Sequence, residues 1–316
     1  MAVVGWALAL LAVVDSVTIM RHYWIFSPPA SVSYRSDAAI EKIKADPKPS
    51  RVLAIGLEMT DKRDTNLEGD GLMIHRVRTV LGYHGNQLGR YNEILQKDEG
   101  FLQAFNPQAW QIFNVRYLLT NTADVGQYFP GAQWVIGPVK DAAGVDVYLY
   151  RLPGENPFAW IAPVIVKAPD DAVAATMFAR GFDPARAALF AEDAPVTGVD
   201  SLSVLPLSVG ISVDVKHYEP GKISLALSDR APEGSALVVS ENYFPGWTAK
   251  VDGRDAPVGR ADYTLIGVQL PAGGRNVELT FDDLAYEKGK LITLFALALT
   301  LLLIGGGVYM ERKAIA

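Results

Sequence analysis

The chain has 316 residues, half of them hydrophobic, with 29 Lys and Arg against 35 Asp and Glu and a formal net charge of −6. That balance argues against a nucleic-acid partner, which calls for basic patches. The absence of cysteine excludes disulfides, thiol catalysis and thiolate metal sites.

The first 20 residues are apolar and carry no charge before Asp15. A secretory signal normally begins with a cation, and this run has none. It reads as a transmembrane helix over residues 1–20, with Asp15 near the water boundary because a carboxylate at mid-bilayer is costly. Tyr23 and Trp24 suit the interfacial belt beyond it. Residues 21–34, rich in Pro and Ser, form a linker.

Residues 35–152 read as a mixed α/β subdomain. Ser36 is placed to cap a short helix that ends before Pro47 and Pro49. Residues 51–57 have β composition, and residues 58–71 form a polar loop. Asn106 followed by Pro107 signals a helix start, and residues 114–120 and 145–152 have strand composition. Residues 153–204 read as a connecting segment: a strand over 160–166, a helix with Asp170 and Asp171 in its first turn, and a second helix opening at Asp183–Pro184. From 205 to 285, short alternating runs separated by Gly-containing turns predict an antiparallel β-sandwich. Residues 290–310 then form the second transmembrane helix. The run over 291–310 has 20 residues and no charge, and at ~1.5 Å per residue it crosses a hydrocarbon core of roughly 30 Å. The fold class is therefore membrane-anchored α+β. Charge leaves its orientation open, since Lys288 and Lys290 balance Arg312 and Lys313.

Three stretches hold candidate chemistry. Asp61, Asp64, Glu68, Asp70, His75 and His84 cluster in sequence, but their spacing matches no ligand motif, so a solvated loop is preferred and no metal or cofactor is expected. In residues 82–91, Tyr83, His84, Arg90 and Tyr91 offer rings for a sugar or isoprenoid and a guanidinium for phosphate; the competing account is a structured turn packed on the core. In residues 241–254, Tyr243, Phe244 and Trp247 form either a carbohydrate platform or part of the sandwich core, the latter preferred. No catalytic residue is identified: nucleophile elbow, phosphate loop and dinucleotide fingerprint are all missing.

NVRYLL at 114–119, GYHGNQLGRYNEIL at 82–95, SENYFPGWTAKVDG at 240–253 and YTLIGVQLPAGG at 263–274, closed by a membrane helix, resemble the C-terminal part of the YfhO family of bacterial membrane proteins. The resemblance implies a polytopic protein similar to GT-C glycosyltransferases, which transfer sugars from polyprenyl-phosphate carriers to cell-envelope polymers. It also implies a cytoplasmic-membrane location with the main domain facing outside. The family's many N-terminal spans and its acidic catalytic loop are missing, so residues 1–20 would be the last span of a bundle and this chain alone is not expected to catalyse transfer. The partners implied are the bilayer, further transmembrane helices, and a glycan or polyprenyl-linked sugar. The alternative is a standalone two-span envelope protein whose sandwich binds a glycan or a protein.

Overall fold

The computed structural model describes residues 2–62, 64–82 and 85–315. It opens on α1 (Ala2–Met20), extended by a 3-10 turn over Arg21–Tyr23 and followed by the short α2 (Ala30–Ser33). Tyr23, Trp24, Ile25 and Phe26 are all exposed, an apolar collar at the foot of the helix. Then come α3 (Ala38–Lys44), β1 (Arg51–Ala54), α4 (Thr65–Glu68), α5 (Gly71–Ile74), β2 (Arg78–Thr79) and α6 (Gly89–Ile94). The cap of α3 is Asp37 rather than Ser36. Asp37 has extended backbone, and its Oδ1 accepts from the N–H groups of Ala39 and Ile40 at 2.8 and 2.9 Å, while Ser36 donates to Glu41. The segment expected as a polar loop, 58–71, instead contains α4 and ends where α5 begins. Asp64 caps α4 and is almost fully buried, its carboxyl raised by burial and by the neighbouring Asp141.

The chain continues through α7 (Pro107–Ile112), β3 (Val115–Thr120), β4 (Gln133–Lys140) and β5 (Asp146–Arg151). Asn106 caps α7 by accepting from the Gln108 N–H at 3.0 Å, as the Asn-Pro pair predicts. These strands form a five-stranded sheet in the order β2-β1-β3-β5-β4, with β1 parallel to both its neighbours and the remaining pairs antiparallel. One face buries Val52, Leu119 and Leu149 under Ile40 and Ile43 of α3. The other face packs Leu53 and Leu118 with Trp110 and Phe113.

Next are β6 (Ala159–Ala162), β7 (Ile165–Ala168), α8 (Asp170–Met177) and β8 (Ala188–Ala191). Two expectations change here. The single strand over 160–166 is split at Pro163, which has no N–H to donate, and its halves lie at opposite edges of one six-stranded sheet. The helix after Asp183 is instead a turn, with Asp183 accepting from the Ala185 N–H, and the apolar residues after it enter the sheet as β8.

The last part comprises β9 (Val213–Glu219), β10 (Lys222–Leu227), β11 (Ala236–Asn242), β12 (Trp247–Val251), β13 (Arg254–Ala256), β14 (Val258–Ala261), β15 (Leu265–Gln269), β16 (Asn276–Phe281) and α9 (Leu284–Ile315). An antiparallel five-stranded sheet, β13-β12-β16-β10-β9, faces the six-stranded sheet β6-β11-β15-β14-β8-β7. The second sheet thus draws β6, β7 and β8 from upstream of residue 205, and its β7–β8 pair is parallel. It is buried on both faces: Leu237 and Val239 of β11 point to the sandwich core, and Ala236 and Val238 to the core shared with the first sheet. This explains why β11 is a continuous apolar run rather than an alternating one.

A cross-strand glycine pair makes room in that sheet. Gly259 and Gly267 are register partners, and a Cβ on Gly267 would lie 2.6 Å from both Phe190 Cε1 and Ala261 Cβ. The fully buried Phe190 ring occupies the space they leave. Asp262, in the turn beyond β14, is also fully buried and accepts from the Leu189 N–H at 2.9 Å, and burial pushes its carboxyl up to about 7.

Two helices, Val3–Tyr23 and Leu284–Met310, are long and apolar enough to cross a membrane. Asp282 and Asp283 alone separate β16 from α9, and Asp283 caps that helix by accepting from Ala285 and Tyr286. The turn before β12 is tied to the same point, where the Asp282 N–H donates to Gly246 O at 3.0 Å.

Gly267→Ala is expected to destabilise the protein by about 1–3 kcal/mol, because a methyl group there overpacks Phe190; denaturant unfolding of the full chain measures it, and an unchanged midpoint would refute the close packing. Asp262 makes a pH-dependent contribution. An unfolded aspartate titrates near ~3.9, so folded Asp262 holds a proton that the unfolded chain has released over the window up to about 7. Stability then falls as pH rises through that window. Asp262→Asn keeps the acceptor for Leu189 and should flatten this part of the pH profile, whereas identical pH slopes for parent and variant would rule the effect out.

Candidate functional site

The register of the parallel pair β1–β2 sets Arg51 directly beside Arg78. Two adjacent guanidiniums repel unless a carboxylate lies between them, and Glu241, at the far end of the buried strand β11, supplies it. Arg51 Nη2 donates to Glu241 Oε2 at 3.2 Å, and Arg78 Nη2 donates to Glu241 Oε1. The register of β11 against β15 slips between Val239 and Asn242, an irregularity of the kind that re-aims a side chain.

Arg51 has its other donors occupied as well. Its Nη1 reaches Phe113 O at 3.0 Å and Ser240 Oγ at 2.9 Å, and that hydroxyl in turn donates to Ile112 O. Arg78 differs. Its guanidinium lies over the rings of Phe158 and Tyr218, with 5.3 and 4.8 Å to the centroids, and its Nη1 is buried without a hydrogen-bond partner among the described residues. Burial and the neighbouring Arg51 lower its pKa to about 10, which leaves it charged at neutral pH.

These residues form one wall of a cleft of about 750 Å³. Tyr91, Gln87 and Asn92 line it too, with Asn92 donating to Gln87 at 3.0 Å. Tyr91 donates to Val80 O at 3.0 Å and meets Phe113 edge-on at 5.2 Å between centroids, and its own burial raises the phenol to about 12. It therefore stays a neutral hydrogen-bonding group at neutral pH.

The seven candidate residues are distributed unevenly. Tyr83 and His84 lie outside the described residues. Tyr91 lines the cleft. Arg90 pairs with Asp170 and lies over the Tyr263 ring, while Arg260 holds the same carboxylate at 2.7 Å, so Arg90 ties α6 to α8 and β14. Tyr243, Phe244 and Trp247 follow the Glu241 end of β11 but do not line the cleft. Tyr243 and Trp247 pack on the sandwich core, with the Trp247 ring 5.4 Å from that of Phe281, and Phe244 remains half-exposed. Among the described residues, no group of three or more His, Asp or Glu side chains is placed to hold a metal ion.

Arg51, Arg78 and Glu241 do not stand out in the sequence reading. Arg51 opens an otherwise apolar strand and Glu241 ends one, and charges at those positions are a signal only once the partner strand is known. Trp247→Ala is expected to cost about 3 kcal/mol, since it removes a ring packed on Phe281 and the sandwich; an unchanged unfolding midpoint would instead mark Trp247 as free for a ligand.

No curated protein and no solved structure matches the chain at a significant level. Residues 211–293 match the model of the family described as bacterial membrane protein YfhO. The match begins just before β9 and ends inside α9, covering the outer sheet of the sandwich and the start of the second apolar helix. Over residues 211–293 the chain is thus similar to the YfhO family of bacterial membrane proteins, and this similarity together with the two apolar helices supports a membrane location.

Proposed function

We propose that this chain is the C-terminal extracytoplasmic domain and anchor of a polytopic YfhO-like protein of the bacterial cytoplasmic membrane. That protein takes part in transferring sugars from polyprenyl-phosphate carriers to cell-envelope polymers, with catalysis located in other spans. The observation carrying this reading is the family match, which runs without a break from the β-sheet into α9. In this reading the rigid link through Asp282 and Asp283 holds the sandwich against the membrane bundle.

The chain contains no cysteine, so one introduced thiol reports topology without background. Ser203→Cys, at an exposed position, is expected to react with a membrane-impermeant maleimide in intact spheroplasts. Labelling only after permeabilisation would overturn the outward orientation. Cells lacking the protein are expected to lose sugar decoration of a surface polymer, and an unchanged polymer glycosylation profile would overturn the transfer role.

A further inference from the structure

The charge around Arg78 is not balanced. Glu241 is a single carboxylate shared by two guanidiniums, and among the described residues the cleft is lined by Arg51, Arg76 and Arg78 against Asp70 and Glu241. Arg78 also lines an adjoining cavity of about 890 Å³, where Lys44, Lys48 and Arg76 outnumber Asp46 and Glu219. This positive excess occurs in a chain whose net charge is −6. A buried guanidinium nitrogen without a partner carries a desolvation cost, and in native proteins such a group usually meets a ligand or ordered solvent. The two flanking rings fix the guanidinium plane in advance, so little side-chain entropy is lost when an anion pairs with it.

We infer that this cleft binds a phosphoryl group, with Arg78 as its main partner. A phosphate ester fits better than a lone carboxylate. It carries more charge against the excess, presents several acceptor oxygens to a planar fork, and its organic part can occupy a cleft of about 750 Å³ beside Tyr91, Gln87 and Asn92. The chemistry is shared by a soluble phosphate ester and by a phosphoryl headgroup on a lipid. The inference rests on the Arg51–Glu241–Arg78 arrangement and not on the sugar-transfer reading, so either can fail without the other.

The test uses the full chain in a non-ionic detergent, titrated calorimetrically with glycerol 3-phosphate and, at matched ionic strength, with acetate. Saturable binding of the phosphate ester, weakened by added salt and much stronger than acetate binding, is expected. Arg78→Gln should weaken it by about tenfold or more, the range for a charge-assisted hydrogen bond, and Arg78→Lys by less because the charge remains. Glu241→Gln removes the competing carboxylate and should tighten binding several-fold, a gain that a misfolded variant does not give. Repeating the titration in nanodiscs separates the sources. Glycerol 3-phosphate binding that is lost in phosphatidylglycerol discs but kept in phosphatidylcholine discs assigns the site to an anionic lipid headgroup, and binding kept in both assigns it to a soluble ester. Absence of saturable binding in the parent, equal affinity for acetate, or a folded Glu241→Gln variant that binds no more tightly would overturn the inference.

Discussion

The ion bridge from Arg51 through Glu241 to Arg78 is the contact on which the relation between the sheets depends. Strands β1 and β2 belong to the mixed sheet and β11 to the central one, so a single carboxylate joins two layers that otherwise meet through apolar packing. A buried pair of this kind adds little net stability over an apolar replacement, but removing one member leaves a charge stranded and is costly. Its effect is to fix position: the two guanidiniums satisfy their electrostatics only where the end of β11 meets the start of β1. The Ser240 hydroxyl, which accepts from Arg51 and donates to Ile112, reinforces the same placement.

The central sheet makes that placement rigid. Its strands are covered on one side by the outer sheet of the sandwich and on the other by the mixed sheet and its helices. Phe190, seated over the Gly259–Gly267 pair, fills the second of these cores. From this sheet the end of β11 brings Glu241 and Asn242 to the cleft, whose other walls come from β1, β2, α5 and residues 80–92.

At the other end of the molecule the sandwich joins the second apolar helix through a short link. Two aspartates separate β16 from α9, one of them caps the helix, and the other is bonded to the Pro245–Gly246 turn. Gly246 has φ +125, and a Cβ there would meet Asp282 O at 2.6 Å, so the close approach requires glycine. The Phe244, Trp247 and Phe281 rings pack around this junction. These rings thus lie where the sandwich meets the apolar helix α9.

Much of this is a property of the sequence. The two apolar runs need no tertiary partner to be recognised, because length and lack of charge suffice for a helix in lipid. The Asn106–Pro107 helix start and the Gly-punctuated strands after residue 205 are likewise local, set by caps and turns acting over a few residues. Tertiary structure decided what local rules leave open. Residues 160–166 read as one strand, but the six-stranded sheet splits that run at Pro163 and sends its two halves to opposite edges. The residues after Asp183 carry helix-compatible alanines, yet pairing with β7 and β14 drew them into a strand. The site depended on the fold most of all. Tyr91 is legible as a candidate, but the cleft is made by Arg51, Arg78 and Glu241, and the hydrogen-bonded Arg51 and Ser240 stand 189 positions apart in the chain. Each of these charges looks like an ordinary strand terminus alone, and it becomes a site only because long-range strand pairing places like charges side by side and a single carboxylate between them.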